Sequence, residues 1–189
     1  DEKEESLKAT EPKKEESKIK IVDVNSNTRP YAIMINCHNE ALPQSGLQDA
    51  YIVYEIMVEY GITRMMALFK DVDFTKVGSI RSLRSQYIAY AFENDAIIVH
   101  AGGQKEAIER LSNDGIDHVD ADGIYGERDK ELRKKRAYEH TLFTKNSLLT
   151  KAINNMKIRN PSDNKTLLNY SSEEVDLTKY QTTPVNNVT

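Results

Sequence analysis

Cysteine occurs once, as Cys37. A lone thiol cannot form an internal disulfide, and its place inside the apolar run Tyr31–Cys37 marks a buried side chain rather than a nucleophile. No run of about 18 apolar residues exists, which excludes a membrane-spanning helix. Basic charge is not in excess: 26 Lys and Arg against 30 Asp and Glu give a net charge of -4. That balance argues against a general nucleic-acid binder but leaves room for a local basic pocket. The four histidines sit at no zinc-ligand spacing, so neither a metal nor a cofactor is expected. The G-x-S-x-G elbow of serine hydrolases is missing. The stretch DHVDADG (Asp117–Gly123) has acidic residues but lacks the terminal bidentate Glu of a calcium loop. No leader peptide is recognisable, and the chain opens on Asp1, which points to a processed or trimmed product.

A chain of 189 residues suits one domain plus tails, large enough to bury a core without covalent staples. The polarity concentrates at the ends. Residues 1–18, DEKEESLKATEPKKEESK, carry almost no large apolar side chain and read as part of a disordered tether over 1–28. After Pro161 the text turns to Asn, Ser, Thr and Asp, which reads as a linker or the start of a further domain over 161–189. The ordered domain is therefore expected over 29–160.

YAIMINC (Tyr31–Cys37) is nearly continuous in apolar residues, the pattern of a strand buried on both faces. AYIVYEIMVEYGITRMMALFKD holds two β-rich runs around Gly61-Ile62, a pair suited to a two-residue hairpin turn. That turn sets Glu59 opposite Arg64. GSIRSLRSQYIAYAF (Gly78–Phe92) reads as an amphipathic helix. DAIIVHAGG is a strand ending near His100, and QKEAIERLSNDG is a helix stopped by Gly115. A last helix follows Thr144 as its N-cap, with Leu148, Leu149, Ile153 and Met156 as its buried stripe. The fold class is α/β, with α+β as the alternative: a mixed sheet containing a β-hairpin, packed with helices.

Two arginines stand out. On the expected helix Arg81 and Arg84 fall on the apolar side, in the first turn, where free N–H groups and the helix dipole also favour an anion. Buried guanidinium needs a partner. Glu55 and Glu59 of the hairpin are the internal candidates; a phosphate, pyrophosphate or carboxylate is the external one. Ser82 adds a hydroxyl. His100 with Gly102 and Gly103 forms a strand–glycine–helix junction of the kind that offers N–H groups to anions. Arg64, Arg128 and His140 complete the set of candidate binding residues. A cross-strand partner for Arg64, a solvated helix face for Arg128 and His140, and a hydrogen-bonded turn for His100 are the alternatives.

RPYAIMINCHNEALPQSGLQDAYIVYEIMVEYGITRMMALF followed by VGSIRSLRSQYIAYAFENDAIIVHAGG resembles the N-terminal domain of the YerB-like lipoproteins, a bacterial, mainly Gram-positive family whose domain of unknown function is numbered 3048. The likeness runs from about Arg29 to Lys145. It rests on Arg29-Pro30, Pro43–Leu47, Val53-Tyr54-Glu55, Gly61–Arg64, Val77-Gly78, Arg81-Ser82, Arg84, Asp95-Ala96, His100 and Gly102-Gly103. The family has Pro where Ser79 stands and Gly where Tyr60 stands, and Glu139 and Thr141 depart from its PHNLFT-like segment, though His140 remains.

The resemblance implies export and attachment to the outer face of the cytoplasmic membrane by a lipid on a cysteine that would precede Asp1. It also implies a second, smaller β-rich domain downstream. No biochemical activity comes with it. Three readings compete. One is an envelope module that uses an arginine-lined pocket to bind an anionic cell-wall or lipid-linked ligand, or an envelope protein such as a peptidoglycan enzyme. Another is a hydrolase or phosphotransferase acting on a pyrophosphate-linked or glycan substrate, with Glu55, Glu59 and His100 as acid–base groups. The last is a structural scaffold.

Overall fold

In the computed structural model the described residues are 22–23, 26–162 and 176–179. The tether expected over 1–28 and the linker expected over 161–189 lie outside them, save for residues 22–23, 26–28, 161–162 and 176–179. One compact unit, Val22–Asn169, holds every strand and α-helix described. In the other unit the described residues form only the short 3-10 turn Leu177–Lys179.

The main sheet has five strands: β1 (Tyr31–Asn36), β2 (Ile52–Met57), β3 (Thr63–Phe69), β5 (Ile97–His100) and β6 (His118–Asp120), in the order β2-β3-β1-β5-β6. β1 is central, antiparallel to β3 and parallel to β5, which is in turn parallel to β6. A second, three-stranded antiparallel sheet joins β4 (Val77–Gly78), β8 (Leu142–Thr144) and β7 (Glu127–Arg128) in that order. The mixed sheet and the separate small one make this an α+β fold.

β1 is apolar at both parities because it is covered on both faces. Ile33 and Ile35 pack with Val99, Phe69 and helix α3 (Asn146–Met156). Ala32 and Met34 pack with helix α1 (Gln86–Glu93) and helix α2 (Lys105–Asn113), through Tyr87, Ile88, Ala107 and Leu111. Each such fully buried aliphatic contributes roughly 1.5–3 kcal/mol. Gly115, at φ 62°, stops α2 in the left-handed conformation the sequence implies, and Ile116 N–H reaches back to the Leu111 carbonyl at 2.9 Å. Buried Arg29 ties the start of β1 to its neighbours. It donates to the Asp95 carbonyl at 2.8 Å and the Arg159 carbonyl at 2.9 Å, and pairs with Asp117.

Three local expectations are corrected. The hairpin turn is not Gly61-Ile62. Met57 opposes Thr63 and Ile56 opposes Arg64, so Val58 to Ile62 form the loop, with Tyr60 at φ 58° and Gly61 at φ 73°. Arg64 faces Ile56, three positions short of Glu59; the odd shift moves Glu55 off the face of Arg64, while Glu59, now in the loop, still acts on Arg64 through its charge. The apolar residues of β2 lie at both parities, so alternation did not fix the register. Second, the helix begins at Gln86, not near Gly78. Ile80 bridges Ile35, Arg81 N–H donates to the Met34 carbonyl at 2.9 Å, and Leu83 bridges Gly103. Backbone pairing across the ends of β1 and β5 wins over helix formation there. It also sends Ile80 and Leu83 into opposite faces of the core, where a helix would have set them together. Third, Thr144 lies in β8 and donates to the Tyr125 carbonyl at 2.8 Å rather than capping α3. In α3, Leu149, Ala152 and Ile153 are buried while Met156 is exposed.

Candidate functional site

The segment 79–85 lies across the carboxyl ends of the parallel strands β1 and β5, where loops 37–44, 101–104 and 138–141 also arrive. Crevices at strand ends of this kind are the usual binding places of sheets with parallel strands. Because α1 starts only at Gln86, Arg81 and Arg84 are loop residues, and the expected contribution of a helix N-terminus to anion binding does not apply to them.

The two arginines have different surroundings. Arg84 pairs through Nε with Glu59 of the hairpin loop and donates to the Leu83 carbonyl at 3.0 Å. The Arg84 guanidinium holds the Glu59 carboxyl below the usual range. Arg81 is half-buried and, among the described residues, has neither an ion pair nor a side-chain hydrogen bond. Its charge is felt by Arg64, Glu139 and His140.

Arg64, at the start of β3, is 7% exposed and donates to the Ser82 carbonyl at 2.6 Å. It is the Ser82 carbonyl, not the hydroxyl predicted as a ligand group, that meets an arginine here. Burial, and then the like charges of Arg84 and Arg81, push the Arg64 pKa down to about 10. Tyr87 donates its hydroxyl to the Arg64 carbonyl, and burial raises that phenol to about 12.

The other predicted residues are accounted for internally. His100 is 1% exposed. Its Nδ1 lies 2.8 Å from the Gly102 carbonyl and its Nε2 lies 3.0 Å from His118 Nδ1, so both ring nitrogens are occupied. Burial lowers its pKa. Gly102 N–H points at the Asp120 carboxylate at 3.3 Å, and the Gly102 carbonyl accepts from Leu83. Gly103 serves close packing, since a Cβ there would meet Ile108 at 2.8 Å and Leu83 at 3.3 Å, while Gly102 takes a left-handed φ of 60°. Arg128 pairs with Asp122 at 2.7 Å and lies over the Tyr138 ring at 3.5 Å. Glu55 lies on edge strand β2, where it accepts from the Thr63 hydroxyl at 2.5 Å. His100, Glu55 and Arg128 therefore do not join the arginine cluster. Two clefts of about 240 and 320 Å³ lie elsewhere, and neither is lined by Arg64, Arg81 or Arg84.

His140 does reach the cluster, in company that its spacing in the chain does not reveal. Its ring is 4% exposed and stacks on His38 with centroids 4.8 Å apart. Its Nδ1 lies 2.8 Å from Asn36 Nδ2, and its Nε2 lies 3.6 Å from Glu40. Burial lowers the His140 pKa, and His38 and Arg81 lower it further. One potential ligand atom from each of His38, Glu40 and His140 falls within 4.8 Å of the others. The signal in the sequence was the pair His38-x-Glu40 just past a buried strand; the third member comes from about a hundred residues downstream.

Residues 18–159 match the family described as "Protein of unknown function (DUF3048) N-terminal domain". A Bacillus subtilis (strain 168) protein described as "Putative lipoprotein YerB" is 39% identical over 98 residues, which is 50% of this chain and 30% of that protein. The crystal structure of YerB from Bacillus subtilis superposes with a TM-score of 0.68 at 29% identity, covering 75% of this chain and 49% of the YerB chain. This chain therefore spans less than half the length of the relatives it matches. Among the described residues no helix is long and apolar enough to cross a membrane.

Proposed function

This chain belongs to the family of the DUF3048 N-terminal domain, and from that premise we propose that it is the extracellular, lipid-tethered module of a cell-envelope lipoprotein that binds an anionic ligand at Arg81. The ligand class is a phosphate or pyrophosphate carried by cell-wall or lipid-linked material. One observation carries the reading. Arg64, Arg81 and Arg84 form a group in which the described ion pair is that of Arg84 with Glu59, leaving Arg81 without one. An anion at Arg81 supplies the missing charge, and an Arg–anion hydrogen bond contributes about 1.5–3 kcal/mol. The envelope setting is supported by the lipoprotein description of the Bacillus subtilis relative. A carboxylate on an envelope protein is the alternative anion.

A second reading, an enzyme acting on a pyrophosphate-linked substrate, is favoured by one feature: His38, Glu40 and His140 gather within reach of the Arg81 charge. The scaffold reading accounts for Arg84, whose charge Glu59 answers, but not for Arg81.

The test is thermal melting in phosphate and pyrophosphate at constant ionic strength. A ligand at 100 times its Kd stabilises by about 2.7 kcal/mol, which raises Tm by roughly 5–10 °C in a domain of this size. Arg81→Ala should lose that rise. Equal rises in both proteins would remove the reading.

A further inference from the structure

Among the described residues, His38, Glu40 and His140 are the one group of three His, Cys, Asp or Glu side chains close enough to share an ion. The reading of Arg81 as an anion site makes no use of this group as a metal centre. We infer that these three residues form a binding site for a divalent transition ion of the zinc class, with a position left open beside Arg81.

The donor set is two imidazoles and one carboxylate, the mixture that borderline ions such as Zn²⁺ prefer. His140 Nε2 and Glu40 Oε2 are 3.6 Å apart. Ligands at about 2.0–2.2 Å from a tetrahedral ion lie about 3.4 Å from each other, so that pair is nearly at ligating distance. The three donor atoms all lie within 4.8 Å of one another, so no pair has to close by more than roughly 1.4 Å to reach that figure. Glu40, with its side chain 63% exposed, and His38 adjust to His140, which stays fixed by burial; the His38 ring turns out of its stack on His140 so that both imidazoles aim at one ion. Three protein ligands leave a fourth position for water or an anion.

Asn36 decides how tightly the ion is held. His38 N–H donates to Asn36 Oδ1 at 3.1 Å, which turns the amide Nδ2 toward His140 Nδ1 at 2.8 Å. The amide donates there, so neutral His140 carries its proton on Nε2, the nitrogen facing Glu40. Ligation through Nε2 displaces that proton and leaves the ring protonated at Nδ1, where an amide NH₂ cannot accept it. Metal-bound histidines usually donate this other N–H to a carboxylate or carbonyl. A carboxylate at position 36 could accept from both His38 N–H and His140 Nδ1–H.

The experiment uses the chain with any affinity tag removed, stripped with EDTA, and titrated with Zn²⁺ by calorimetry and with Co²⁺ by visible absorption. No phosphate is present, so failure of the anion reading does not affect the outcome. The expected result is one ion per chain with the intense Co²⁺ bands of a tetrahedral site. Glu40→Gln, on an exposed side chain, should weaken binding at least tenfold, and Asn36→Asp should tighten it by about 10–100-fold. His118→Ala, in the other histidine pair, should leave it unchanged. Three results would each overturn the inference: no stoichiometric binding at about 1 mM ion, binding that survives Glu40→Gln unaltered, or binding lost in His118→Ala.

Discussion

Arg64→Met should leave the ligand-free protein as stable as the wild type or more so. The guanidinium is 7% exposed, and burial with Arg84 and Arg81 brings its pKa from 12.5 to about 10. At 1.36 kcal/mol per unit, holding this charge costs the folded state about 3 kcal/mol at neutral pH. The sign follows from linkage: a cation whose folded pKa is depressed opposes folding wherever it is protonated in both states, and the cost is relieved only as pH rises past the folded pKa. Against that stands the bond to the Ser82 carbonyl at 2.6 Å, about 1.5–3 kcal/mol for a charged donor. Methionine fills much of the same volume. The net is a gain of about 0–2 kcal/mol, or up to roughly 8 °C in Tm. Replacing a buried charge by a matched hydrophobe is often neutral or stabilising. The same substitution should weaken pyrophosphate binding, since it removes part of the positive field around Arg81. The assay is urea unfolding in phosphate-free buffer beside pyrophosphate titration. A loss above about 2 kcal/mol would mean that the fold itself compensates Arg64, and the argument from excess charge would fail.

Other outcomes follow from the same contacts. Arg84→Ala should cost only about 1 kcal/mol by chemical unfolding, because Glu59 is 37% exposed and water can take over its carboxylate; a loss above 3 kcal/mol would show the pair to be a buried one. Burial lowers the pKa of His100, His118 and His140, so the unfolded chain takes up more protons below about pH 6.5. Tm should therefore fall steadily from pH 7 to pH 5, and less steeply in His118→Gln; a flat profile would contradict the burial of these rings. Burial, aided by Glu55, raises the Cys37 pKa, so Cys37 should react with a maleimide at pH 7 several-fold more slowly than a free cysteine.

Strands β1 and β5 were legible because burial on both faces leaves an unbroken apolar text, and α2 because Gly115 marks its end, whereas the short strands β4, β6, β7 and β8 carry too few residues for a pattern to show. The helix start and the hairpin register were not legible either. Ile80 and Leu83 have helical spacing yet serve two different cores, since the chain crosses the sheet end between them. The loop takes two left-handed residues in succession at Tyr60-Gly61, one position before the Gly61-Ile62 pair expected, because Tyr is not among the residues that usually signal such a turn. The choice of Arg81 and Arg84 rested on an argument independent of secondary structure: arginines at apolar positions need a partner. Their local setting was misread because it depends on that structure. Of the trio His38, Glu40 and His140, the sequence offers only the first two as a near pair; His140 joins them through the approach of loop 138–141 to the end of β1. Spacing rules find only metal sites built from local sequence.

The central claim is that Arg81 holds an anion which the chain itself does not provide. A crystal grown with pyrophosphate tests it most directly. The account predicts density for the anion with oxygen atoms about 2.7–3.2 Å from the Arg81 guanidinium, with the Arg84–Glu59 pair retained. Arg81 turned onto the Glu139 carboxylate, with no anion beside it, would contradict the account.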